Sequence, residues 1–196
     1  YQERNGKWSD EKAQAALIEL SDLQARYAQT HRRRIVDRCK ALGISMASHD
    51  DTLVEHVEEA VRDGIAIAEF PTTMAAARTA RRHGQVTVMG APNIVRGGSH
   101  SGNVSALELA KEGLLDILSS DYVPSSLMMA AFQLVREAGW SLPRAIATVS
   151  SAPAQAVGLD DRGAIEIGLR ADMVRVGLSD AFPVPRATYV RGVRVA

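Results

Sequence analysis

A polar, glycine-rich run, APNIVRGGSHSGN at 91–103, directly follows the apolar stretch Gln85–Met89. Gly97, Gly98 and Gly102 allow sharp turns and close backbone approach to a ligand, while Arg96, Ser99, His100, Ser101 and Asn103 carry donors suited to phosphate oxygens. The pattern suits a cradle for an anionic substrate; a surface loop with an incidental Arg and His is the competing reading. Three other apolar runs end the same way, each with a carboxylate or imidazole where the strand hands over to a loop and a helix. Gly43–Ala47 leads to His49 and Asp50, Gly64–Ala68 leads to Glu69, and Leu114–Leu118 leads to Asp121. Singly, each could cap a helix or pack in the core; four in succession favour function.

These side chains need a scaffold that brings strand ends together. All four runs are short and apolar, as strands buried on both faces should be. Helical patterns separate them. From Thr52 to Arg62, Leu53, Val54, Val57 and Val61 recur at three- and four-residue steps, with Asp51 and Thr52 as expected caps. Thr72–His83 is alanine-rich with a basic end before Gly84, and Val104–Glu112 again precedes a glycine. Strand, loop and helix in repetition predict a parallel sheet with right-handed crossovers. His49, Glu69, the Asn93–Asn103 loop and Asp121 then share one mouth at the carboxyl ends of the strands, where ligands bind in such folds.

The chain's 196 residues, 46% hydrophobic, suit one sizeable domain or one domain with an appendage. Lys plus Arg equals Asp plus Glu at 23 each, so no net field draws the chain to nucleic acid, and His31–Arg34 is expected on a solvated helix face. No apolar stretch is long enough to span a bilayer and no signal peptide is visible, so a cytoplasmic protein without membrane or nucleic-acid partners is expected. The single cysteine, Cys39, is expected to be a small core residue near Ile35 and Leu42 in a reducing compartment. A long helix over Glu11–Lys40, capped by Ser9 or Asp10, precedes the first strand. Further on, helices are expected at Ser125–Ala138 and Ser141–Val157. Antiparallel strands are expected at Gly163–Asp172 and Ala187–Val195, joined through Asp180–Pro185.

The motifs ASHDD at 47–51, AEFPTT at 68–73, MGAPNIVRGGSHSGN at 89–103 and LSSDYVP at 118–124 resemble a known family. It is that of the alpha-D-ribose 1-methylphosphonate 5-triphosphate diphosphatases of the carbon-phosphorus lyase pathway, within the amidohydrolase superfamily. The resemblance implies an α/β fold: the second half of a metal-dependent-hydrolase (β/α)8 barrel over residues 1–157, with part of a small β-sandwich over 158–196. It implies hydrolysis of the ribosyl triphosphate to the 5-phosphate and pyrophosphate. His49 would ligate a divalent metal, zinc foremost with manganese and iron as alternatives. Asp121 would be both ligand and catalytic proton acceptor. Glu69 stands where many relatives place a histidine. Asn93, Arg96, Gly97, Gly98, Ser99, His100 and Asn103 would hold phosphate or ribosyl groups.

One departure from that pattern stands out: no His-x-His pair occurs among His31, His49, His56, His83 and His100. The expected partner is therefore an amino-terminal half of the same enzyme, with self-association left open. Two other readings remain at this stage: an amidohydrolase acting on a cyclic amide or N-acyl group, and a non-catalytic half-barrel that binds phosphorylated ligands.

Overall fold

The computed structural model describes residues 8–99, 101–180 and 182–196, and the chain divides into two compact units, one ending at Ile44 and the other running from Ser45 to Ala196. The first unit is helix α1 (Asp10–Ala41). The Ser9 hydroxyl accepts from the Lys12 amide, acidic Asp10 and Glu11 occupy the first turn, and basic Arg38 and Lys40 occupy the last, matching the helix dipole. Arg26 pairs with Asp22 one turn back at 2.8 Å. The basic cluster lies on this helix, and its His31 stacks on Tyr27. Cys39 departs from expectation: it is half-buried and its neighbours Ile35 and Leu42 are exposed, so it is not a core residue.

The second unit opens with four parallel strands, β1 (Ala47–His49), β2 (Ile67–Glu69), β3 (Val86–Gly90) and β4 (Ile117–Ser119), ordered β1-β2-β3-β4. Helices α2 (Val54–Arg62), α3 (Met74–Arg82), α4 (Ala91–Val95) and α5 (Ala106–Lys111) intervene. Each strand starts one to four residues further along than its apolar run suggests, and His49 and Glu69 are themselves the last residues of their strands. The cause is visible at the helix ends. Gly43, Gly64, Gly84 and Gly113 all adopt positive φ, as helix-terminating residues do, and the residues next to them serve to leave the helix.

Thr73 and Ser105 cap α3 and α5 through their side chains. The caps expected for α2 do not form. Leu53 occupies that position, the Asp51 carboxylate instead accepts from Ser48 Oγ, and the Thr52 hydroxyl donates to Asp50 O.

The core lies around β3 and β4, where Met89, Ile94, Leu109, Leu115, Leu118, Leu134 and Trp140 are buried together. Asp116 ties the sheet to its helical cover. Its two oxygens accept from Arg81 Nη2 of α3 at 2.7 Å and from the Thr87 amide of β3 at 2.9 Å.

Helix α6 (Ser126–Ala138) ends at Gly139 in the left-handed conformation. The single helix expected over Ser141–Val157 is two, α7 (Leu142–Ala147) and α8 (Ser151–Ala156). Pro153 has no amide to offer the Val149 carbonyl, and the Thr148 and Ser150 hydroxyls donate back to Ala145 O and Ile146 O. The break has a use: Thr148 O accepts from the Leu118 amide at 3.0 Å, which covers part of the outer edge of β4.

Residues 163–172 are irregular, contrary to the strand expected there. Gly163 and Gly168 have φ of 99° and 97°, which interrupts the extended backbone, and Ile165 and Ile167 are exposed. The antiparallel sheet is β5 (Met173–Ser179), β6 (Phe182–Val190) and β7 (Val193–Arg194). Phe182–Pro185 is thus strand, not connection. The expected strand Ala187–Val195 folds back at Arg191 and Gly192, both at positive φ, as a two-residue hairpin requires.

Candidate functional site

His49 and Glu69 are register partners on adjacent strands. The chain turns sharply just past three strands, where Asp50, Phe70 and Asp121 have φ of 60°, 54° and 50°. Left-handed backbone is rare for such residues, especially Phe, and strain of this kind gathers at functional sites. The His49 ring meets Phe70 edge-on with centroids 5.1 Å apart, and its Nδ1 lies 3.0 Å from Asp50 Oδ2. With Nδ1 held by a carboxylate, Nε2 is left to bind a ligand, the usual arrangement of a metal-ligating histidine.

Asp121 is exposed, and its amide is held by Ser119 Oγ at 3.2 Å. Its carboxylate folds back over Gly90, the last residue of the neighbouring strand β3, so that a Cβ on Gly90 would lie 3.2 Å from Asp121 Oδ2.

Hydrogen bonds join the strand-end loops into one rim. The Thr72 amide donates to Asp51 O and the Val104 amide to Thr72 O, both at 2.9 Å, linking the loops after β1 and β2 to the end of the glycine-rich loop. Arg96 Nη1 then reaches Tyr122 OH at 3.0 Å, joining that loop to the turn after β4.

Within the glycine-rich loop the expected ligand donors divide. Arg96 and Asn103 are exposed at the rim. Asn93 is not directed outward: its Nδ2 donates to Val104 O and its Oδ1 accepts from the Ala106 amide at 2.9 Å, so it clamps the start of the loop to its end. The amides of Gly97 and Gly98 donate to Ile94 O and Asn93 O, closing the carboxyl end of α4, which corrects the expectation that they face an anion. Ser99 Oγ accepts from the Ser101 amide within the loop. His100 lies outside the described residues. Sequence reasoning missed Ser48, Asp51, Phe70, Gly90 and Tyr122; the strings ASHDD and SSDY contain the first two and the last, but nothing in their types reveals which atoms meet.

Residues 13–195 match the amidohydrolase family. The chain belongs to the amidohydrolase family. It is 52% identical over 173 residues to the alpha-D-ribose 1-methylphosphonate 5-triphosphate diphosphatase of Escherichia coli (strain K12), an alignment covering 86% of this chain and 46% of that protein. The chain thus spans about half the length of this curated relative. Among solved structures, an uncharacterized protein superposes with a TM-score of 0.63 at 20% identity, over 83% of this chain and 48% of the other. Ochratoxinase from A. niger superposes at 0.61 with 15% identity, over 82% and 44%. At such identities the likeness is one of fold alone, a barrel-type α/β class, here a parallel sheet with a small antiparallel sheet beside it.

Members of this family generally depend on a divalent metal. The donors in this chain fit that requirement in part. His49 and Glu69 are adjacent in register, yet among the described residues no three His, Cys, Asp or Glu side chains stand together as a metal site. Asp121 lies in the turn after β4, a strand two places from β2 in the sheet.

Proposed function

We propose that this chain forms the carboxyl-terminal part of a phosphonate-pathway diphosphatase that cleaves alpha-D-ribose 1-methylphosphonate 5-triphosphate to the 5-phosphate and pyrophosphate. The observation that carries the reading is the shared rim: His49, Glu69, Asp121 and Arg96 end successive strands or the loops that follow them, on a chain 52% identical to an enzyme named for that reaction.

Each residue has a task in that reaction. The water oxygen bonds to one of the two phosphorus atoms of the α–β anhydride, the bond from that phosphorus to the bridging oxygen breaks, and the 5-phosphate and pyrophosphate separate. Asp121, exposed at the mouth and fixed over Gly90, takes the proton of the attacking water. Arg96, held toward the site by Tyr122, balances charge building on the phosphoryl oxygens, with Asn103 and His100 as further polar contacts for phosphate or ribose. Asn93 keeps the loop closed behind them. His49 Nε2 and Glu69, with Asp121, would be the donors this chain brings to a divalent metal, zinc by our reading, and its other ligands would come from chain outside these residues. When bound, such a metal would lower the pKa of a water to about 7.

The test measures pyrophosphate release from the ribosyl triphosphate by the purified protein, with intact mass and bound metal determined on the same sample. The reading expects pyrophosphate release, bound metal, and a longer chain or a companion polypeptide beside this one. A metal-loaded sample that hydrolyses N-acyl or cyclic amide substrates and leaves the triphosphate intact would overturn it. So would a lone 21.1 kDa chain that releases pyrophosphate without metal.

A further inference from the structure

We propose that Gly90 is a positioning residue for Asp121: its missing side chain is the space that fixes where the Asp121 carboxylate stands. The inference rests on the role given to Asp121 above.

The backbone does not require glycine at this position. Gly90 has φ −69° and ψ 125°, an extended conformation open to any L-residue. It ends β3, is buried, and pairs in register with Ser119 of β4. What requires glycine is the room above its Cα. A Cβ there would stand 3.2 Å from Asp121 Oδ2, whereas Asp121 Cβ at 3.6 Å and Pro92 Cδ at 3.7 Å are at ordinary contact distance. The one tight contact is therefore with a carboxylate oxygen.

The surroundings determine what would give way. Asp121 is held at φ 50° and its amide is bonded to Ser119 Oγ, so its backbone and Cβ are fixed by the turn. Rotation of its side-chain torsions is the easiest response. An added methyl group would move the carboxylate by a few tenths of an ångström and leave strand β3 in place. A displacement of that size matters little to folding and much to proton transfer, since a 1 Å misplacement can cost about a hundredfold in rate.

Gly90→Ala in the full-length protein, alone and combined with Asp121→Ala, tests this. Expected for the single variant is a fall in kcat of about tenfold, scaled from that figure, with KM for the triphosphate unchanged within about twofold. Its melting temperature should not fall, because alanine at a permitted φ/ψ restricts the unfolded chain. In the Asp121→Ala background the same change should lower the residual rate no further. High-resolution crystal structures of the wild type and Gly90→Ala give a readout independent of turnover, namely displaced carboxylate oxygens above an unmoved β3. An unmoved carboxylate would overturn the proposal. So would a kcat loss of equal size in the Asp121→Ala background, or a fall in melting temperature that persists there. If the wild type releases no pyrophosphate, the diphosphatase reading fails on its own, and the crystal comparison still decides the role of Gly90.

Discussion

His49 and Glu69 close adjacent parallel strands as register partners, so their side chains leave the same face of the sheet about 5 Å apart. Behind His49 stands Asp50, whose left-handed backbone brings Oδ2 to within 3.0 Å of Nδ1. That contact orients the ring and leaves Nε2 for a ligand. If the pair serves a metal, Asp50→Ala in the full-length protein should weaken metal retention by about 10- to 100-fold with the fold intact, the range found when a ligand's outer carboxylate is lost. Metal content after dialysis against a graded chelator checks it; retention equal to the wild type would show that Asp50 does not support a ligand.

Much of this arrangement was legible in the sequence, and the legible part has a physical reason. Apolar runs with polar ends reveal a parallel sheet because strands buried on both faces admit few other residue types. The placing of His49, Glu69 and Asp121 at strand ends follows from that pattern. Atom-level roles do not follow. Asn93 and the Gly97–Gly98 amides look like ligand donors by type, yet they bond within their own loop, because a donor's partner depends on how the loop closes. The split of the last long helix at Thr148–Ser150 was within reach, since Pro153 cannot donate to Val149. The strand expected at 163–172 misled because its alternating side chains hide two glycines at positive φ.

Asn93 illustrates the difference between holding a substrate and holding a loop. Removing its side chain leaves the Val104 carbonyl and the Ala106 amide without their partner, in a half-buried setting. Asn93→Ala should cost about 2 kcal/mol, the usual range for orphaned polar groups. That corresponds to a fall of roughly 6 °C in melting temperature for a domain of this size. Asn93→Asp should recover part of the loss through the Ala106 amide alone. A melting temperature unchanged in Asn93→Ala, with weaker substrate binding, would return Asn93 to the ligand-binding group.

The acid limb of stability carries one small, readable contribution. The side-chain hydrogen bond from Arg162 holds the Asp161 carboxyl below its ordinary value, aided by the charges of Arg162 and Arg170. A carboxylate lowered in the folded state stabilises above its unfolded pKa, and that contribution disappears as pH falls through the folded value. Melting temperatures of wild type and Asp161→Asn should therefore differ slightly near neutrality and converge below about pH 4, the unfolded range for Asp. Because Asp161 is exposed and Arg162 only half-buried, the gap should shrink further in high salt. Curves that separate as pH falls would contradict the assignment.

Two arginines of the same face of chemistry have opposite assignments. Both side chains are exposed, but Arg81 is bonded to Asp116 at 2.7 Å, while Arg96 reaches Tyr122 at 3.0 Å on the rim. Asp116 keeps the Thr87 amide when Arg81 is lost, so Arg81→Ala should lower stability by only about 1 kcal/mol and leave kcat/KM unchanged. Arg96→Ala should do the reverse. Loss of a charged donor that stabilises developing phosphoryl charge costs about a hundredfold in kcat/KM, and an exposed side chain contributes little to folding. Arg96→Lys should recover only part of the rate, because an ammonium lacks the planar fork that can bond Tyr122 and a phosphate oxygen together. Steady-state kinetics with the ribosyl triphosphate, beside melting curves for all three variants, separate the roles. If Arg81→Ala lost the greater share of kcat/KM, the anion-binding side of the rim would have to be sought elsewhere.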